Sequence, residues 1–209
     1  QDLPPESIAI DGAVSGPQID PINKKYSFDH HAGCLRVCTQ AACQQTWNSI
    51  QLGLDPSNYN VFINDVDSDV CLSVWLLNNP DRCNEPLVQK LVSAVNICDM
   101  HAGAVSVNGM YKTVEWISQP EVDSKRKNDY GNLSVEGMNS VLEAILHRIS
   151  LYADGEASAE ILKIHKHNEY KILRNENDYV VVESQDPHIF GCLYNSGFER
   201  LVLIRHQSD

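Results

Sequence analysis

Apolar and polar positions fall along the first half of the chain in short blocks of two kinds. Ile8-Ala9-Ile10 is an apolar run that ends in Asp11 and gives way to a Gly/Ser/Pro-rich stretch up to Pro21, the pattern of a strand followed by its loop. Tyr26-Ser27-Phe28 predicts a second strand, which runs straight into Asp29-His30-His31. From Thr39 to Leu52, Ala42, Trp47, Ile50 and Leu54 recur at helical spacing, and Asp55-Pro56-Ser57 stops the helix. Val61-Phe62-Ile63 predicts a third strand that delivers Asp65, Asp67 and Asp69 into a loop. A helix is expected at once, because Val70-Cys71-Leu72 and Val74-Trp75-Leu76-Leu77 make a broad apolar face up to Asn78-Asn79-Pro80. Pro86 to Asn96 repeats the helical spacing through Leu87, Leu91 and Val95 and leads to Ile97-Cys98-Asp99, so that Asp99 is expected to follow the helix. Three strand-to-helix alternations predict an α/β fold: a mainly parallel sheet with helices on both faces.

The second half reads differently. Residues 118–134 are polar and charged, with Lys125-Arg126-Lys127 inside them, and are expected to form a linker or loop. Val135 to Tyr152 carries Met138, Val141, Leu142, Ile145, Leu146 and Ile149 on one helical face. A further helix is expected over Ala157 to Asn168, and strands at Asp178 to Glu183 and Arg200 to Arg205. The expected organisation is therefore an α/β domain over 1–117, the 118–134 connection, and a smaller C-terminal α+β unit over 135–209. The completeness of that last unit stays open.

Composition narrows the function classes. A chain of 209 residues with 43% apolar residues can bury a core. With 28 acidic against 16 basic residues and a formal charge of -12, the averaged field repels phosphodiester backbones, so tight binding of long nucleic acid is not expected. There is no run of 18 apolar residues, and Gln1 to Pro5 lacks the zones of a signal peptide, so a soluble cytoplasmic protein with no membrane association is expected. The 7 cysteines include no Cys-x-x-Cys pair, which argues for buried thiols over a disulfide framework or a zinc ribbon. The cluster Cys34, Cys38 and Cys43 is not read as a thiolate metal site.

In parallel sheets the loops at the carboxyl ends of strands converge on one crevice. The three predicted strands end in Asp11, in Asp29-His30-His31 and in Asp65 to Asp69, with Asp99 a further candidate. So many carboxylates cannot stay ionised together without cations, because like charges a few ångströms apart push one another's pKa upward. Carboxylate oxygens with one or two imidazoles suit Mn2+ or Mg2+. Taken singly, each aspartate also fits a helix cap or a turn, and Asp69 before Val70 fits a cap well. The arrangement at successive strand ends is what favours a metal centre.

These residues also resemble a known family. Tyr26-Ser-Phe-Asp-His-His31 after a strand is similar to the Asp-His-His signature of the DHH phosphoesterases, which include RecJ nucleases, oligoribonucleases and manganese pyrophosphatases. Ile63-Asn-Asp-Val-Asp-Ser-Asp69 resembles their Asp-x-Asp-x-Asp motif, without the usual glycine after it. Asp11 before its Gly/Pro loop resembles the bridging aspartate of the second motif, and Leu91 to Gly103 the fourth, where the Myg-type exonuclease branch is the nearest likeness. The Asp-rich motif, which opens those proteins, here falls between Asp-His-His and Asp99, and the tail carries no Gly-Gly-His sequence.

The resemblance implies two Mn2+ (or Mg2+) ions per chain. Asp11 would bridge them, with Asp67, Asp69, His30 and Asp99 as ligands and Asp65 as a ligand or its support. It implies that Asp29 orients His30, that His31 faces the scissile phosphate as donor or acid, and that Arg36 clamps a phosphate oxygen. His101 is a weaker supporting candidate, and Arg205 and His206, with Arg200 and His188, are the substrate-side candidates. The implied activity is hydrolysis of a phosphoester or phosphoanhydride in a small nucleotide, a short oligonucleotide or pyrophosphate. Two alternatives stand beside it: a single-strand exonuclease of the RecJ type, for which Lys125-Arg126-Lys127 is the local support, and a nucleotide- or partner-binding module without turnover. A homodimer is the default oligomer.

Overall fold

The computed structural model describes residues 3–101, 105, 107, 109–126, 133–161, 170–176, 178–184, 193, 198 and 200–204. A four-stranded sheet is built from β1 (Ser7–Ile10), β2 (Gln18–Asp20), β3 (Lys25–Phe28) and β4 (Asn60–Phe62), in the order β2-β3-β1-β4. β1 is parallel to β3 and to β4, with Ile10 opposite Phe28 and Ala9 opposite Phe62. β2 returns antiparallel on the edge of β3, so the sheet is mixed. The three expected strands are present within a residue of their predicted bounds. β2 was not anticipated, because Gln18-Ile19-Asp20 follows a Gly-Pro pair and leaves Ile19 exposed.

Helices α1 (Ala42–Gln51), α2 (Ser68–Asn78), α3 (Pro86–His101), α4 (Tyr111–Arg126) and α5 (Val135–Ala153) follow, with a single turn α6 (Ser158–Ile161). α2 is buried almost all round, as a helix with apolar residues on every side must be. Its Val70 and Leu77 pack with Ala42 on Ile8, Ile10 and Phe28 of the sheet. Its Cys71, Leu72, Trp75 and Leu76 face a larger core made with Leu91, Val92 and Val95 of α3, Ile117 of α4 and Ile145 and Ile149 of α5. The Trp75 indole N–H reaches the Ser150 hydroxyl at 2.9 Å, which satisfies its donor inside that core.

Three expectations need correction here. Helices were expected on both faces of the sheet, but the other face is closed by Leu3, Ala9 and Val14 with Ala13, a cluster without a helical member. The segment from 118 was expected to be a loop, yet α4 runs to Arg126 through Pro120. Proline lacks the N–H that would bond the carbonyl four residues back. The Arg148 guanidinium of α5 donates to that carbonyl, of Trp116, and also lies 5.2 Å over the Trp116 ring. Finally, α5 was expected to open the C-terminal unit, but it packs into the core of the preceding helices.

A separate three-stranded sheet lies near the C-terminus, with β5 (Lys171–Asn175) antiparallel to β6 (Val180–Glu183) and β6 parallel to β7 (Leu201–Ile204). Two of its strands were expected, and β5 was not. Val180, Val182 and Leu193 form its small core. The predicted continuation of the last helix to Asn168 lies outside the described residues beyond Ile161. Among the described residues no helix is long and apolar enough to cross a membrane.

Candidate metal centre

Parallel pairing of β1 with β3 sets Asp11 and Asp29-His30-His31 side by side at the carboxyl ends of neighbouring strands, and the Asp11 N–H donates to the Phe28 carbonyl at 2.9 Å. Asp11 holds a left-handed backbone (φ 48), which aspartate tolerates better than most residues, and Gly12 continues the turn at φ 84. Asp99 was expected after a helix; it lies in the last turn of α3, which brings it to the same point.

His30 is fully buried at the centre of the group. Its Nε2 lies 3.2 Å from Asp11 Oδ1 and 2.9 Å from Asp99 Oδ2. Both separations are those of ion pairs when the imidazole is protonated. Asp11 Oδ1, Asp99 Oδ2 and both ring nitrogens of His30 are buried polar atoms without a hydrogen-bond partner among the described residues. Buried polar atoms are ordinarily paired, and orphans that converge on one point need an explanation. Two donors at right angles about a hard cation, each at ~2.1 Å from it, are about 3.0 Å apart, which is the spacing found here. The donor set of two carboxylates and an imidazole therefore fits a divalent cation.

Two overlapping groups could hold metal ions: Asp11, His30 and His31, and His30, Asp69 and Asp99. His30 is common to both. His31 is 43% exposed at its side chain, and its Nδ1 lies 3.2 Å from Asp11 Oδ1 and 3.0 Å from Asp29 Oδ1. The Asp29 carboxylate also accepts the His31 N–H at 2.9 Å and the Gly16 N–H at 2.8 Å. Burial alone would raise the Asp29 pKa, but these hydrogen bonds outweigh it and hold the carboxyl below its ordinary value. Asp29 was expected to orient His30; the side-chain contacts described for its carboxylate are with His31 and Gly16.

Asp69 is buried, with its carboxylate accepting the Ala42 N–H and the Cys43 N–H of α1 at 2.8 Å each. The cap of α2, expected of Asp69, belongs to Asp67, whose Oδ1 accepts the Val70 N–H at 2.9 Å. Asp65 accepts the Val66 N–H at 2.6 Å. Asp65 and Asp67 thus stand outside both groups. Among the expected supports, Arg36 Nη2 lies 3.7 Å from Asp99 Oδ1 at the half-exposed edge, and His101 is exposed at the end of α3. Arg205, His206 and His188 lie outside the described residues, as does Lys127.

The charges inside the centre set a pH response for the metal-free chain. Burial opposes a charge on His30, but the Asp11 and Asp99 carboxylates outweigh it and raise the imidazole from 6.5 to about 10. Burial, reinforced by the Asp99 charge and opposed by the Cys43 amide, raises Asp69 to about 6. Both groups bind protons more tightly folded than unfolded. The stabilisation from His30 is complete below its unfolded pKa of 6.5 and is lost as the pH rises through about 10. In chelator, the unfolding free energy from urea titrations is therefore expected to fall between about pH 6.5 and 10, by up to ~1.4 kcal/mol per pH unit. A flat or rising profile would show that His30 is neutral in the metal-free chain.

Comparison with family models, with curated proteins and with solved structures found no match to this chain.

Proposed function

We propose that the chain is a metal-dependent phosphoesterase of the DHH type, hydrolysing a phosphoester or phosphoanhydride in a small nucleotide, a short oligonucleotide or pyrophosphate. The observation that carries the reading is the convergence of Asp11 Oδ1, His30 Nε2 and Asp99 Oδ2 as buried atoms without hydrogen-bond partners. The two overlapping groups could hold metal ions, and we read Mn2+ or Mg2+ there with Asp11, His30, Asp69 and Asp99 as the candidate ligands and His31 left to face the substrate. A divalent cation held there supplies Lewis-acid polarisation of a phosphoryl oxygen and makes an attacking water acidic enough to react near neutral pH.

The chain's own part follows from its geometry. The His31 Nδ1 lies against Asp29, and Nε2 of this half-exposed ring is the atom we assign to protonating the leaving oxygen. Arg36, beside Asp99 and half exposed, is positioned to grip a phosphate oxygen. The formal charge of -12 favours a small substrate drawn in by cations over a long strand that needs a basic channel.

A second reading has one observation in its favour. Asp65 and Asp67 stand outside both groups, so a module that binds cation and ligand without turnover is the alternative. The test is a panel of phosphate compounds assayed on chelator-dialysed chain with Mn2+ restored. Release of phosphate or mononucleotide that needs Mn2+ and stops in chelator supports the phosphoesterase. Mn2+ binding without release on any compound supports the module, and absence of binding removes both.

A further inference from the structure

The candidate ligands come from three separate places, the strand ends, α2 and the end of α3, and one element touches all three. The residue that caps α1, Ala41, offers no side-chain acceptor of its own, so the first amides of the helix would be orphaned. They are capped instead from afar. The Ala41 N–H donates to Asn96 Oδ1 of α3 at 2.9 Å, and the Ala42 and Cys43 N–H groups donate to the two oxygens of Asp69 of α2. One turn on, Gln45 Nε2 donates to the Asp29 carbonyl at 3.2 Å, next to His30. The amides at this helix end are all taken by protein groups, so it is a clamp and has no free donor for a ligand.

Each contact lies beside a candidate ligand. Asn96 precedes Asp99 by one helical turn, so the two side chains are neighbours on α3. Asp69 is itself within ligand distance of His30 and Asp99. The Asp29 carbonyl belongs to the peptide that joins Asp29 to His30. Movement of α1 would therefore shift Asp99, Asp69 and His30 relative to one another.

We infer that the amino-terminal turn of α1 sets the geometry of the metal centre, with Asn96 and Gln45 as positioning residues that, together with the amides holding Asp69, lock α3, α2 and the loop after β3 onto one helix end. The inference rests on the metal-centre reading. Outer-shell groups of this kind typically change metal affinity by ~10–100-fold, because a ligand held in place loses less freedom on binding.

Asn96 and Gln45 are the residues to vary, since neither belongs to the two groups and Asp69 is too deeply buried to change safely. Full-length wild type is titrated first with Mn2+ and followed by electron paramagnetic resonance, and then Asn96→Ala, Asn96→Asp and Gln45→Ala are compared. Asn96→Ala and Gln45→Ala are expected to bind Mn2+ about tenfold more weakly, with an altered spectrum of the bound ion. Asn96→Asp, which can still accept the Ala41 N–H, is expected to restore the spectrum and most of the affinity. Wild-type affinity and spectrum in Asn96→Ala and Gln45→Ala, with only a lower melting temperature, would overturn the positioning role. Failure of wild type itself to bind Mn2+ would overturn the metal-centre reading and the inference with it, and the first titration separates the two failures.

Discussion

Chain carrying His30→Ala is expected to lose divalent-cation binding at the centre, with Mn2+ affinity reduced by more than about a hundredfold and any phosphate-releasing turnover at background. Changes to groups that merely support ligands cost ~10–100-fold, and His30 is placed more centrally than that. Its Nε2 is near both Asp11 and Asp99, and it is the residue shared by both candidate groups. Without it, the imidazole that both carboxylates meet is gone. Calorimetric titration with Mn2+ measures the loss, and urea unfolding at pH 7 confirms that the variant folds. Wild-type binding by folded His30→Ala would remove this residue from the centre. Asp11→Asn is the matched control, because asparagine tolerates the left-handed backbone at that position.

The second large effect concerns His31. Under the phosphoesterase reading His31→Gln is expected to lower kcat by about 10²–10⁴-fold, the usual contribution of a positioned acid, while Mn2+ affinity changes little. The loss should be confined to substrates whose leaving oxygen needs a proton. A phenolate that departs unprotonated should be hydrolysed by the variant almost as fast as by wild type. Equal losses on both substrate types would show that His31 is no proton donor. If Mn2+ affinity falls and saturating Mn2+ restores kcat, His31 acts as the third ligand of the group it forms with Asp11 and His30.

Much of the fold was legible because its parts follow local rules. β1 and β3 are apolar runs that end in polar residues, and α2, α3 and α5 show their faces at helical spacing. α4 was misread because Gln119, Pro120, Glu121, Asp123 and Lys125 make a polar, proline-bearing run; the helix is held by Val114, Trp116 and Ile117 earlier in it and by an arginine from α5. β5 is exposed at every position and has no alternation to read. At the site, the rule that strand ends converge identified Asp11 and His30, while Asp99 was a candidate that follows a helix; both carboxylates lie against His30 Nε2. The roles of Asp29, Asp67 and Asp69 depended on which backbone amide each carboxylate meets. For Asp69 that amide is 26 to 27 positions away in sequence, and for Asn96 it is 55, so no local pattern announces either contact.

The parallel pairing of β1 with β3 has a consequence for how the centre comes into being. Asp11, His30 and Asp99 share no contiguous segment, and their contacts require a crossover connection and the end of a third helix to be in place. Pairings of this kind close late, after the chain has met the entropy of bringing distant segments together. A nascent or half-folded chain therefore offers the cation no complete site. Under the metal-centre reading, capture of a cation would be a signature of finished topology, and the ion would stabilise the completed fold over its partly assembled precursors.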